Sequence, residues 1–250
     1  MKLLLVNPNM TQGVTDKVTA EARRCASPGT VVTGVTGTFG VAIISTEAEA
    51  AIAAHAALEL LADHFEGHDA AIVAMSFDAG VVAARRLLPI PVLGITGAAL
   101  HTACLLGRRF GLIVSGSVSV PLYLDLLDAS GLRDRMAAME VIDIATSAAY
   151  LDTASLETHI LDAARRLSER PEVEAVVLCG AAMAGLAHRL RDQLTVPLID
   201  GVAAATAQAE GLVRLGLRPK RRPLPLAARL TPVGLGTNLA RLLGGGLPPL

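Results

Sequence analysis

Four short stretches hold the side chains that could do chemistry: "NPNMT" at 7–11, "MSFDAG" at 75–80, "SGSVS" at 115–119 and "CGAAMAG" at 179–185. Each follows an apolar run and precedes a helix-length pattern, so each reads as a strand-to-helix turn. Turns of small and hydroxyl residues let backbone N–H groups at a helix N-terminus approach a carboxylate or an enolate oxygen. Cys179 stands at the mouth of the fourth turn. A thiolate there could move a proton, provided its ordinary pKa of about 8.5 were lowered. No phosphate-loop Lys follows any of these turns and no G-x-G-x-x-G is present, which argues against a nucleotide. The histidines at 55, 64, 68, 101, 159 and 188 show no H-E-x-x-H or similar spacing, so no metal and no cofactor are expected.

The elements that must position these turns alternate along the chain. Strands are predicted at 2–7, 30–35, 70–75, 91–96, 110–115, 139–144, 174–179 and 196–200. Helices are predicted at 10–25, 46–66, 80–88, 97–107, 119–130, 153–170, 183–193 and 201–215. Strands separated by helix-length segments build parallel sheets from βαβ units. The chain also repeats itself: "AAIVAMSFDAGVVAARRLLPIPVLGI" and "EAVVLCGAAMAGLAHRLRDQLTVPLIDG" share a plan, with Gly185 lying 105 residues after Gly80 and Pro197 lying 106 after Pro91. The opening strands "LLLVNPNMT" and "LIVSGSVSV" agree more loosely. The expected fold is therefore α/β, two pseudo-symmetric lobes with parallel sheets flanked by helices and a ligand site between the lobes. One lobe takes residues 1–96 with 201–220, the other 97–200, leaving a Pro/Gly-rich tail at 221–250. A single continuous sheet of look-alike units is the alternative.

Composition narrows the function classes. Of 250 residues 52% are apolar but only 2% aromatic, so the core must be built from Ala, Val, Leu and Ile. With 22 basic and 23 acidic side chains the formal charge is −1, which gives no field for nucleic acid. The basic cluster "RPKRR" at 218–222 reads as a solvated run. No apolar stretch reaches the roughly 18 residues of a membrane span, and the start lacks a signal-peptide core. Three widely spaced cysteines, Cys25, Cys104 and Cys179, suggest neither disulfides nor structural zinc. A cytoplasmic protein acting on a small molecule, with neither nucleic acid nor membrane as partner, is expected.

Several segments together carry a likeness: "LLLVNPNMTQGVTDKV", "GITGAALHTACLLGRRFGLI", "SVP" at 119–121, and "VVLCGAAMAGLAHRL" with "VPLIDGVAAA". Over roughly residues 1–215 the chain resembles the aspartate/glutamate/hydantoin racemase superfamily, nearest its hydantoin and allantoin racemases. The resemblance implies the two-lobed fold, a homo-oligomer, and cofactor-independent chemistry in which one cysteine thiolate removes a Cα proton while a second thiol on the opposite face delivers one. The family's cysteines lie in patterns resembling C-F-x-D-x-G and G-C-A-G-M-A-G. Aligning Asp78 and Gly80 puts Met75 at the first cysteine, and aligning Ala181, Met183, Ala184 and Gly185 puts Gly180 at the second.

Cys179 then occupies the preceding glycine, where alternation aims a side chain away from the ligand, so it reads as a small apolar plug. If each turn is displaced by one residue, Ser76 and Cys179 become the catalytic pair instead, although no His or Lys adjoins Ser76 to activate it. The single-cysteine arylmalonate decarboxylases of the same superfamily place their thiol at the position of Gly180. Residues expected to touch substrate are Asn9, Thr11, Met75, Phe77, Asp78, Ser117, Gly180 and Ala181. Asn9 and Asp78 are also readable as helix caps, and Ser119 as the cap of the helix after it. His101 reads as a packing residue, and Cys25 and Cys104 as core. Three functions follow: proton transfer at the Cα of a hydantoin-like cyclic amide or amino-acid derivative; a lyase, decarboxylase, isomerase or ring-opening reaction on a related molecule; or binding alone.

Overall fold

The computed structural model describes residues 1–143, 153–220 and 232–244, the side chains of 153–155 excepted. Two four-stranded, all-parallel sheets form the protein. The first runs β2 (Val31–Thr36), β1 (Lys2–Asn7), β3 (Ala70–Val73), β4 (Val92–Gly94); the second runs β6 (Met136–Ile142), β5 (Phe110–Ser115), β7 (Ala175–Leu178), β8 (Leu198–Asp200). The two orders are the same, one half-chain later. Central strands such as "LLLV" and "AVVL" are buried on both faces, which is why they are continuous apolar runs and not alternating ones.

Helices α1 (Gln12–Cys25), α2 (Glu47–His64) and α3 (Val81–Leu87) connect the first sheet. Helices α5 (Val120–Ala129), α6 (Thr153–Ser168) and α7 (Leu186–Leu190) connect the second. The start of α2 follows from its sequence: Thr46 and Glu49 form a reciprocal capping box. Two further helices change sides. After β4, α4 (Ile95–Leu106) packs on β7 and β8 of the second sheet; after β8, α8 (Gly201–Arg214) packs on α1, β3 and β4 of the first, and α4 and α8 lie against each other. One apolar cluster runs through the first lobe and across this seam, reaching Leu112, Val114, Val177 and Cys179; a smaller one covers the far face of the second sheet through Ile113, Val176, Leu178 and the inner face of α6.

Apart from element ends displaced by one or two residues, such as Ile95 and Thr96 opening α4 where strand was expected, the structure differs from sequence expectation chiefly in three places. Strand β6 begins at Met136, three residues before the predicted start at 139, because the Ala-rich "MAAM" carries no β-branched signal. The single helix expected over 183–193 is a 3-10 turn at Ala181–Met183, the five-residue α7, and a second 3-10 turn at Arg191–Gln193. Within the expected tail, α9 (Thr237–Leu243) packs on α2, with Leu239 and Leu242 buried and the Gly236 N–H donating to Glu59. The predicted strand end at 144 and most of the tail lie outside the described residues.

Candidate active site

The turns after β3 and β7 superpose in their hydrogen bonding, which fixes what corresponds to what. One residue past β3, the Ala74 N–H donates to Val6 O at 2.8 Å; one residue past β7, the Cys179 N–H donates to Ile113 O at 2.9 Å. Both turns close on a left-handed glycine that starts a short helix, Gly80 (φ 83, ψ −16) and Gly185 (φ 84, ψ −14). Met75 and Gly180 are therefore equivalent positions. The counterpart of Cys179 is Ala74, a buried ladder residue.

Between the two turns lies a narrow cleft of about 80 Å³. Lobe 1 contributes Asn9, the 74–77 turn and Ile43–Ser45; lobe 2 contributes Ser115, Ser119, Tyr123 and residues 180–183. Phe77 and Tyr123 meet across it edge to face, with ring centroids 4.9 Å apart. The Tyr123 phenol lies in hydrogen-bonding range of the Ser76 side chain, and burial, with Cys179 and Asp78 nearby, holds it far above its ordinary pKa. It can donate a hydrogen bond to a ligand oxygen but cannot serve as a base. Asn9 is set by its own loop: its Oδ1 accepts from Asn7 Nδ2 at 2.9 Å and from the Thr11 N–H at 2.9 Å. That fixes the carboxamide so that its NH₂, which meets no acceptor among the described residues, is the donor left for the cleft. Lys17 on α1 donates to Ala182 O at 2.9 Å, tying the lobe 2 turn to lobe 1.

Of the residues singled out from sequence, Asn9, Met75, Ser76, Phe77, Gly180 and Ala181 line this cleft; Thr11, Asp78, Ser117 and Cys179 do not. The Thr11 hydroxyl is spent on Ala42 O at 2.9 Å, holding the 37–46 connection, and Thr11 rather than Asn9 sits at the N-cap of α1. Ser117 is exposed, its N–H donating to Asp143 at 3.1 Å. The Asp78 carboxylate turns away from the ligand space to accept the N–H groups of Thr96 and Gly97 in the first turn of α4, not of the next helix, α3. Cys179 continues the Ala175–Val177 face into the core, and burial followed by the neighbouring Asp78 pushes its thiol far up in pKa. Ser119 does not cap α5; its hydroxyl donates back to Ser115 O and Gly116 O. His101 is exposed on α4, bonded to Gly97 O. Cys25 meets Glu21, which helps push its thiol up to about 12, behind the larger effect of burial.

Tyr123 and the Ile43–Ser45 segment are cleft residues that sequence reasoning missed, while Ser115 and Met183 belong to turns it had singled out. One signal was present: "GTFGVAIIST" is a ten-residue apolar connection, longer than most βα loops and thus a candidate binding loop.

A profile of the Asp/Glu/Hydantoin racemase family matches residues 3–209. The chain belongs to that family. The hydantoin racemase of Paenarthrobacter aurescens is 32% identical over 225 residues, covering 88% of this chain and 94% of that one. Among solved structures, the allantoin racemase of Klebsiella pneumoniae superposes with a TM-score of 0.88 at 32% identity, covering 96% and 98% of the two chains. The allantoin racemase of Pseudomonas fluorescens gives 0.84 at 33% identity, covering 90% and 99%. Set against that kinship, the cleft of this racemase-family chain has a thioether at one turn and a bare backbone at the other. Its polar equipment is hydroxyl and amide: Ser76 and Asn9 from lobe 1, Ser115 and Tyr123 from lobe 2. Such groups stabilise negative charge appearing on a carbonyl oxygen.

Proposed function

We propose that this protein binds a small hydantoin-like cyclic amide or amino-acid derivative between its lobes and promotes proton transfer at the carbon flanked by the carbonyl and the nitrogen. The observation that carries the reading is the convergence of Asn9, Ser76 and Tyr123 on one cleft of a racemase-family fold. When the ring proton leaves to a water base, the electron pair it releases spreads onto the adjacent carbonyl oxygen; the Tyr123 and Ser76 hydroxyls and the Asn9 amide are the donors for that oxygen. Reprotonation from the other face would complete a racemisation. Three thiols without a disulfide among them fit a cytoplasmic setting.

The test is incubation with enantiopure 5-substituted hydantoins and with allantoin in deuterated water, following optical rotation and the ring C–H signal together. Deuterium uptake with loss of rotation is expected. A second reading, binding without turnover, is favoured by one observation: neither Met75 nor Gly180 carries an exchangeable side-chain proton. Saturable binding with no exchange would establish it.

A further inference from the structure

Asp78 is the only non-glycine residue among those described with a positive φ, at 52°. Strain of this kind persists where the surroundings impose it, and here they do. Its carboxylate accepts from the Thr96 N–H at 3.1 Å and the Gly97 N–H at 2.6 Å, while the Thr96 hydroxyl donates to Ser76 O at 2.5 Å. Three hydrogen bonds thus fasten the 75–78 turn to the first turn of α4. The space for the carboxylate is made by glycines on two sides: a Cβ at Gly94 would overlap it, and one at Gly97 would approach Oδ2 to 2.8 Å. The lobe 2 turn has no such side chain, since Met183 stands where Asp78 would. It is held instead by Asp200, at the end of β8, whose Oδ2 accepts from the Gly185 N–H at 2.7 Å and whose Oδ1 caps α8 through Val202 and Ala203.

We infer that Asp78 is a positioning residue: seated between Gly94 and Gly97 on the N-terminus of α4, its carboxylate holds Ser76 and Phe77 in the cleft. Because the holding group is on the turn itself, loss of its charge weakens the grip on the turn and lets the strained backbone relax. Asp200 sits on a strand and holds only the Gly185 end of the other turn, not the residues of the cleft. The charged and titratable groups facing Asp78 are Arg85 on α3, Tyr123 on α5 and Cys179 after β7. Only Arg85 favours the charged form. Burial outweighs it and the two amide bonds, pushing the carboxyl up to about 7, so the grip changes within an accessible pH range.

The inference rests on the proposed ligand cleft for its functional meaning, but its test has a readout that needs no ligand. In an NMR titration from pH 5.5 to 8.5 the Gly97 amide proton should shift with one ionisation, and the Ser76 and Phe77 amides should move with it. In parallel, calorimetric binding of a 5-substituted hydantoin should weaken about tenfold at the acid end. Asp78→Asn should abolish both responses, and Asp200→Asn should leave the Gly97 titration in place. A Gly97 signal that does not titrate, or Ser76 and Phe77 signals that ignore it, would overturn the inference even if the variant fails to fold. Hydantoin affinity that stays pH-dependent in folded Asp78→Asn would overturn it too. If no hydantoin binds at any pH, the proposed function fails while the wild-type titration still decides the role of Asp78.

Discussion

The two turns that face each other across the cleft begin with the same ladder bond and end on the same left-handed glycine, yet between those points they have little in common. Lobe 1 spells Met-Ser-Phe-Asp, with a thioether, a hydroxyl, a ring and a half-buried carboxylate; lobe 2 spells Gly-Ala-Ala-Met, with no polar side chain, its Ala182 carbonyl accepting from Lys17. Each is fastened to the helix that crosses to the other sheet, lobe 1 by an aspartate on the turn and lobe 2 by an aspartate on a strand. A repeated fold therefore fixes where the two turns stand, and leaves how each is held free to diverge.

The largest expected effect is the pH dependence of stability contributed by the lobe 1 anchor. An aspartate with an ordinary value of 3.8 in the unfolded chain and about 7 in the fold keeps a proton in the native state that the unfolded chain has released. Stability then falls as pH rises between those values, by at most about 4 kcal/mol for this group. Denaturant midpoints from pH 4 to pH 8 should show this slope, and Asp78→Asn should flatten it. Asp200, whose carboxyl burial also raises, contributes with the same sign. A slope untouched by Asp78→Asn would break the contrast between the anchors.

Backbone shape gives the next largest difference. Gly180 has φ 132 and ψ 126, a conformation that side-chain-bearing residues rarely adopt, although a Cβ there would have room, its nearest neighbour being Met183 Cε at 3.5 Å. Gly180→Ala should cost about 1–3 kcal/mol from strain alone, whereas Met75→Leu, which conserves volume at a buried position, should cost less than about 1.5 kcal/mol. Chemical denaturation of both variants measures it. Equal small losses would mean that the turns are interchangeable scaffolds, and that Gly180 is an emptied position and not a reshaped one.

The smallest effect is expected at Cys179. As the counterpart of Ala74 it should tolerate Cys179→Ala at a cost of about 1 kcal/mol, with deuterium exchange and hydantoin binding unchanged. Loss of exchange in a folded Cys179→Ala protein would put the thiol back into the chemistry.

Much of the fold was legible because buried parallel strands write themselves as apolar runs: 2–7 and 110–115 have the same ends in sequence and structure. The weak reading of β6 and of α7 has one cause, Ala- and Gly-rich segments whose propensities do not discriminate. Helix α9 was hidden because seven residues between glycines and prolines carry too little periodicity to stand out. At the site, Met75 and Gly180 could be placed through the resemblance to the family's two turn patterns, and Ser76 through a one-residue displacement of the first. Tyr123 could not. It reaches the cleft from the second turn of α5, and only the packing of α5 against the opposite lobe through Phe77 brings it there. Asp78 was recognisable as a capping residue, but the helix it caps lies eighteen residues away, a tertiary fact with no local signature.

The exchange of α4 and α8 between the sheets bears on how the chain could be divided. A cut in the link at Gly107 would leave the N-terminal fragment with α4, which covers the other fragment's strands, and the C-terminal fragment with α8, which covers those of the first. Each piece would expose apolar surface shaped for its complement. Such halves are suited to being made apart and restored to one molecule by mixing, as a split protein whose reassembly rebuilds the cleft.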